Sequence, residues 1–166
     1  MTDDQFWNIL AQARGASPAS ADPAQLKSIL NTLTDDEVSG FGLLFYTKLC
    51  DLNHWNLWGA GYVITGGMGD DSFHYFRSWI IGKGKQVYDL ALTSPDDLGP
   101  FIDNPEVENE LLEYVPIYVF KERGKPQDPR DRLTDCGPDR DPSGEPFEED
   151  TVAASFPKLA AQFGLS

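Results

Sequence analysis

The clearest hydrophobic repeat in the chain lies between residues 73 and 81. Four large apolar residues share positions i, i+3, i+7 and i+8: Phe73, Phe76, Ile80 and Ile81. This spacing places them in one stripe along an α-helix, which packs on a core through that stripe. Asp70 or Asp71 is predicted to cap its N-terminus, and Gly82 and Gly84 are predicted to end it.

Four further helices are predicted ahead of this segment, because apolar residues recur there at helical spacing behind N-terminal signals. The signals are, in chain order, Asp3 or Asp4, the pair Asp22-Pro23, the capping box Thr34-Asp-Asp-Glu37 and Asn53-His54. A short acceptor side chain at each start satisfies an amide group of the first turn, and proline fits the first helical position. The fourth helix ends at Gly66-Gly67.

Three more helices are predicted after the central one. The first covers residues 85–93, and the second starts at Asn104-Pro105 and is kinked or divided by Pro116. The run YVPIYVF also has the composition of a strand, but no hairpin partner is visible, so a helix is favoured. A short C-terminal helix follows Thr151.

Between Gly124 and Glu149 the composition changes to Pro, Gly, Asp, Arg and Glu with few apolar residues. Such a segment cannot build a core, so it is predicted to be a surface loop that docks through Leu133 and Phe147. The 166 residues suffice for one domain. The fold class predicted is a compact all-α, single-domain multi-helix bundle over residues 1–166, with about six to eight helices and a long acidic surface loop at 124–150 before the C-terminal helix.

Charge restricts the partners of this domain. Twenty-seven acidic residues against thirteen Lys and Arg give a formal net charge of −14. Such a charge repels nucleic-acid phosphates and anionic membranes, and it suits either solubility or a protein partner with a basic face. The N-terminus MTDDQFWNIL lacks the basic residues of a signal peptide, and no stretch approaches about twenty apolar residues, so a cytoplasmic location is expected. Cys50 and Cys136 show neither a C-x-x-C motif nor zinc-ligand spacing.

One polar cluster is predicted on the central helix. Asp70, His74 and Arg77 fall at i, i+4 and i+7, and Asp71 lies three residues before His74. One interpretation is structural: the two acids cap the helix, Arg77 pairs with a nearby carboxylate and His74 is half-exposed. The other is a site in which an acid, an imidazole and a guanidinium act together, or in which Arg77, with Lys83 and Lys85, holds a phosphate or carboxylate.

Aromatic residues offer a second set of candidates. Trp58 and Trp79 could line a pocket for a ring-bearing ligand, together with Trp7 and Trp55, although tryptophans at this spacing more commonly form core. A metal site would need carboxylates and an imidazole to converge from different helices, for example Asp96 or Asp97 with the central cluster.

Several blocks of the sequence resemble a known family. The blocks are FW near the start, LW-GA in the fourth helix, GDDSFHYFRSWIIGKGKQVYDLAL with the PDDL that follows it, PSGEPFEED and FPKLAAQF. Together they resemble the bacterial domain-of-unknown-function family DUF4240. Ile80-Ile81 and Lys83-Gly84-Lys85 depart from the residues usual there. The resemblance implies a bacterial, cytoplasmic single-domain protein, and it implies no activity or site residue.

No motif assigns an activity. There is no phosphate-binding loop, no H-E-x-x-H and no G-x-S-x-G, and only His54 and His74 could act as an imidazole base. The first hypothesis is a non-catalytic protein-interaction or regulatory domain that binds through the acidic loop or an exposed helix face. The alternative is a small-ligand or metal-dependent enzyme with its site around Asp71, His74 and Arg77. No cofactor is predicted, and whether the protein is an enzyme stays open.

Overall fold

The computed structural model describes residues 1–133 and 140–164, which form an all-α domain without a β-strand. Cys136 and the middle of the predicted loop lie outside these residues. The described helices are α1 Asp3–Arg14, α2 Pro23–Leu30, α3 Asp35–Asp51, α4 Trp55–Thr65, α5 Asp70–Lys83, α6 Lys85–Thr93, α7 Val115–Glu122, α8 Val152–Ser155 and α9 Pro157–Phe163. The all-α prediction is confirmed. The C-terminal helix is divided in two at Pro157, so the described residues contain nine helices instead of about six to eight.

The starts of α2, α3 and α4 follow the sequence signals, and those of α1 and α5 depart from them. The Asp22 carboxylate accepts from the amide of Ala24, and Thr34 and Glu37 form the predicted capping box. The cap of α1 is Thr2 and not Asp3 or Asp4. The prediction of an acidic cap on α5 is also wrong: Gly69 occupies the cap position without a side-chain hydrogen bond, because Asp70 and Asp71 already lie in the first turn.

Helix α5 lies at the centre of the fold and contacts α1, α3, α4 and α6. Its predicted stripe is buried, with at most 2 % of any of the four side chains exposed. Gly82 does not end the helix. A Cβ at Gly82 would lie 2.1 Å from the Ser20 hydroxyl, so glycine here permits close packing, and the helix ends before Gly84, whose φ is +102°.

Only part of the segment between α6 and the loop is helical. The predicted helix start at Asn104-Pro105 is wrong: residues 102–109 form no helix, and the Asn104 side chain accepts from the amide of Glu106 in a local turn. The helical part is divided in front of Pro116. A 3₁₀ helix covers Glu110–Tyr114, and α7 begins at Val115. Pro116 lies in the first turn of α7, where its missing N–H removes no helical hydrogen bond. The 3₁₀ segment packs against α5 and supplies the buried residues Leu112 and Glu113.

The described part of the loop is attached to the body of the domain. Leu133 and Phe147 pack on the core as predicted. The backbone of Ser143 also exchanges hydrogen bonds with the start of α4: the amide of Trp55 donates to it at 2.9 Å, and its own amide donates to the carbonyl of Asn53 at 3.0 Å. These bonds hold residues 140–143 beside the N-terminus of α4.

The length and hydropathy of a helix decide whether it could span a membrane. In the part of the chain that the structure describes, no helix combines the length and the apolar character needed to cross a bilayer.

The contact between α3 and the loop provides a test of this packing. A Cβ at Gly42 would lie 2.7 Å from Pro129, a rigid ring, whereas a Cβ at Gly40 would meet only Met1 at 3.2 Å, at a chain end that can shift. Both alanines gain the same helix propensity of up to about 1 kcal/mol. We expect Gly42→Ala to lower the free energy of unfolding by about 1–2 kcal/mol through overpacking, and Gly40→Ala to leave it unchanged or raise it. Urea unfolding of the two variants measures the difference, and equal effects would contradict the described packing.

Candidate functional site

An open cleft of about 570 Å³ lies between the start of α4, the first two turns of α5 and the loop residues 140–142. Five of the six candidates named from the sequence line it: Asp70, Asp71, His74, Arg77 and Trp58. Trp55 and Phe73 complete its aromatic wall, and Arg140 and Asp141 form its outer rim. Its size is within the range of ligand-binding clefts in proteins.

The aromatic wall of the cleft is a continuous stack. The rings of Trp55 and Trp58 are parallel within 5° at 4.9 Å between centroids, and Trp58 and Phe73 are parallel within 7° at 4.8 Å. The guanidinium of Arg77 closes the stack, with its Cζ 4.7 Å from the centre of the Phe73 ring. The indole N–H of Trp58 donates to the carbonyl of Met68 at 2.8 Å, which fixes the orientation of the stack.

Trp79, the sixth candidate, does not line this cleft. Its ring is 8 % exposed, stacks on Phe76 and lies under the ammonium of Lys83. The structure therefore places Trp79 in the core, separated from the other five candidates.

Arg77 is a buried cation at the floor of the cleft. It is 9 % exposed, and its Nη1 donates to the carbonyl of Leu49 at 2.9 Å. Burial lowers the pKa of Arg77 to about 10, while the negative charge of Glu113 opposes the shift. The predicted pairing of Arg77 with a nearby carboxylate is not formed directly: within the described residues Arg77 makes no ion pair, and the charge of Glu113, in the 3₁₀ segment, compensates it with His74 lying between them.

Glu113 was not named from the sequence. Its side chain is only 2 % exposed, and its Oε1 lies 2.8 Å from His74 Nε2. The only signal in the sequence is its place in the apolar run ELLEYVP, where a buried acid requires a polar partner.

His74 connects Glu113 with Arg77, and both of its ring nitrogens are occupied. Arg77 Nη2 lies 3.3 Å from Nδ1, while Nε2 faces Glu113. Because an arginine can only donate, the network assigns the neutral tautomer with its proton on Nε2. In this arrangement His74 bridges Glu113 and Arg77.

The carboxylates of Asp70 and Asp71 are exposed at the mouth of the cleft. Within residues 1–133 and 140–164 neither takes part in a hydrogen bond or ion pair. Asp141 adds a third carboxylate to the rim, and Arg140 is the one exposed cation among the described lining residues. The exposed part of the cleft is therefore acidic.

Two groupings expected from the sequence are not formed. Lys83 and Lys85 line a different cleft, where Lys83 donates to the carbonyl of Pro18 and Lys85 pairs with Asp89 at 2.6 Å, so they do not join Arg77 in an anion site. Asp96 accepts from the backbone amide of Leu159 at 3.0 Å and so caps α9. Among the residues described, no three His, Cys, Asp or Glu side chains are grouped so as to hold a metal ion.

His54, the other histidine, caps α4. Its Nδ1 accepts from the amide of Leu57 at 3.1 Å, and its buried Nε2 has no partner within the described ranges. Burial lowers the pKa of His54, and the positive charge of Arg77 lowers it further. His54 is therefore a neutral structural cap.

Together, the fold and the cleft define an all-α domain with an acidic, aromatic-walled cleft on its central helix. A family model described as a protein of unknown function, DUF4240, matches residues 1–122. The chain belongs to this family. The matched range includes α5 and Glu113, while PSGEPFEED and FPKLAAQF lie beyond it. No curated protein and no solved structure matches the chain.

The buried network predicts a specific cost for the loss of Glu113. Glu113→Gln keeps an acceptor for His74 but removes the charge that compensates Arg77, so we expect the free energy of unfolding to fall by about 1–3 kcal/mol. Glu110→Gln, an exposed change in the same 3₁₀ segment, should cost less than about 0.5 kcal/mol. Chemical unfolding measures both. In the double variant Arg77→Met/Glu113→Gln the cost should be smaller than the sum of the single changes, and additivity would contradict the coupling.

The cap formed by His54 predicts a dependence of stability on pH. Because the pKa of His54 is lower in the folded state than in the unfolded chain, the unfolded state binds more protons as the pH falls below about 6.5. Protonation also removes the lone pair that caps α4. We expect the free energy of unfolding to decrease from pH 7.5 to pH 5, with this residue contributing at most about 1.4 kcal/mol per pH unit. His54→Asn keeps a capping acceptor and should show a smaller decrease; an unchanged decrease would refute the assignment.

Proposed function

We propose that this domain is a non-catalytic protein-interaction domain of the bacterial cytoplasm, and that it recognises its partner through the cleft on α5. The observation that carries the proposal is the pairing of exposed Asp70 and Asp71 with a rigid aromatic wall in one open cleft. Few concave surfaces of a folded protein combine aromatic side chains with charged groups that have no partner. Protein interfaces are enriched in such aromatic residues.

The hydrogen-bond partners of His74 support a non-catalytic role. A general base needs a free lone pair within reach of the substrate, whereas both nitrogens of His74 are held by Glu113 and Arg77. Two nitrogens of the Arg77 guanidinium are also engaged, since Nη1 donates to the carbonyl of Leu49 and Nη2 faces His74. The groups that would perform acid–base or anion-holding chemistry are thus used to stabilise the floor of the cleft.

The loop belongs to the same surface. Residues 140–142 form the outer wall of the cleft, and the bonds of Ser143 to the start of α4 hold them there. The acidic loop and the central helix, which the sequence offered as separate binding regions, therefore both contribute to this one surface. Deleting the loop would also remove the packing of Phe147 and Pro129, so point variants on the rim test the surface better.

One observation favours the alternative, a small-ligand enzyme with a site around Asp71, His74 and Arg77. Glu113 orients His74 through a 2.8 Å contact, as a carboxylate orients the imidazole in many acid–base sites. If a substrate displaced Arg77 from Nδ1, His74 would become available as a base.

Nuclear magnetic resonance titration distinguishes the two functions. The ¹⁵N-labelled protein is titrated in one arm with a pool of acetylated, amidated tripeptides, and in the other with nucleotides, sugar phosphates, free amino acids and divalent metals. We expect saturable shifts of the Trp55 and Trp58 indole N–H signals and of the α5 amides in the peptide arm. Mass spectrometry should find every peptide unchanged.

Two results would overturn this function. Turnover of a compound in the second arm, at a rate that falls in His74→Gln, would establish the enzymatic alternative. Peptide-induced shifts confined to surfaces away from the cleft, or no shift with any probe, would remove the cleft as the recognition surface.

A further inference from the structure

The exposed charges of the cleft restrict what it can bind. Asp70, Asp71 and Asp141 face Arg140, so the rim carries more negative than positive charge. Arg77 does not alter this balance, because it lies at the floor and is compensated by Glu113. The net charge of −14 on the whole chain adds a long-range attraction for cations.

The aromatic wall fits a cation of a particular shape. Trp55 ends the row of parallel rings, is partly exposed and lines the cleft together with the acids, and the Phe147 ring meets it edge-on at 6.1 Å between centroids. A planar guanidinium stacks on an indole more effectively than an ammonium does, and its fork of N–H groups matches carboxylates. The same stack already has this contact at its inner end, where the guanidinium of Arg77 lies on the Phe73 ring.

A second intramolecular example shows the same chemistry elsewhere in the chain. The ammonium of Lys48 lies 5.0–5.4 Å from the ring centres of Phe6, Trp7 and Tyr88, and it pairs with Asp3 at 2.5 Å. A cation held by rings and one carboxylate is therefore an arrangement that this fold already uses. The cleft presents a comparable set of rings and carboxylates to solvent.

The floor of the cleft contains a hydrogen-bond donor that has no acceptor among the described residues. Arg77 is nine-tenths buried and lines the cleft, and its Nε–H has no acceptor within the described part of the chain. A buried donor without an acceptor is rare in folded proteins. The Nε–H of Arg77 and the Oε2 of Glu113, which is also unpartnered in that part of the chain, are closed off from solvent, so a carbonyl of a partner reaches the Nε–H only if the floor opens. A peptide brings such a carbonyl together with its side chain, which a simple amine does not.

We propose that the cleft binds an arginine side chain of a protein partner. The guanidinium stacks on Trp55 and donates to Asp70 and Asp71, while a backbone carbonyl of the same segment approaches the floor near Arg77. This inference rests on the function proposed above and adds the chemistry of the partner.

The test uses the tripeptide acetyl-Gly-Arg-Gly-amide. Its neutral isostere carries citrulline in place of arginine, and acetyl-Gly-Glu-Gly-amide serves as the acidic probe. We expect the arginine peptide to shift the Trp55 indole N–H and the amides of residues 70–77 with a dissociation constant on the order of 1 mM. The citrulline peptide should bind at least about tenfold more weakly, because it lacks the charge.

A pair of matched variants separates local recognition from general attraction. Asp71→Asn removes an exposed carboxylate from the first turn of α5, and Asp36→Asn removes one from the first turn of α3, which is about 20 Å from Leu49 along that helix. We expect Asp71→Asn to weaken binding of the arginine peptide about tenfold and Asp36→Asn to change it less than twofold.

Different outcomes test the arginine inference and the proposed protein-interaction function separately. Equal binding of the arginine and citrulline peptides at the cleft, or preference for the glutamate peptide, would overturn the arginine inference and leave the cleft as a protein-interaction surface. Equal weakening by Asp71→Asn and Asp36→Asn would show general attraction to an acidic protein and would also overturn the inference. Absence of shifts at the cleft with all three peptides would overturn the arginine inference, and only the same absence with the whole tripeptide pool would overturn the proposed function as well.

Discussion

The buried positive charge of Arg77 is the constraint on which the centre of this fold depends. A guanidinium that is 9 % exposed must be compensated, and four residues from three parts of the chain contribute. Leu49 offers one of the last carbonyls of α3, which have no partner inside that helix, and Phe73 provides a ring face. His74 and Glu113 supply the remaining contacts from α5 and the 3₁₀ segment. Satisfying one charge thus fixes the relative positions of α3, α5 and the 3₁₀ segment, since removing any one contact leaves a buried polar group unpaired.

The buried network also affects the surface, because it leaves the two acids in the first turn of α5 without a structural role in the core. Because the floor of the cleft uses Glu113 as its counter-charge, Asp70 and Asp71 are not needed for Arg77. Because Gly69 takes the cap position, they are not needed for the helix end either. They still interact favourably with the helix dipole, as acids in a first turn do, but their outer oxygens face solvent beside the tryptophans. The contacts that compensate Arg77 in the core therefore leave two exposed acids on the surface above it.

The candidate cleft also depends on a part of the chain with almost no apolar residues. Residues 140–142 would not be positioned by hydrophobic packing, and the backbone bonds of Ser143 to the start of α4 place them as a wall. Glycine has a related role inside the helices, where Gly59 and Gly61 allow Phe156 and Met68 to approach α4 closely. The shape of the cleft is thus determined by backbone contacts and small residues as much as by the large rings that line it.

The sequence by itself determined the helices, most of their ends and the buried stripe of α5, because caps, prolines and a repeat of 3.6 residues act over a few neighbouring positions. It also brought Asp70, Asp71, His74 and Arg77 to one helix edge, since that arrangement comes from helical geometry alone. Only the tertiary structure decided their partners. Glu113 meets His74 from 39 residues away, Asp96 caps a helix 63 residues later, and Trp79 turns into the core while Trp58 turns to the cleft. These contacts depend on how whole helices pack, and no local pattern encodes the packing of a distant segment.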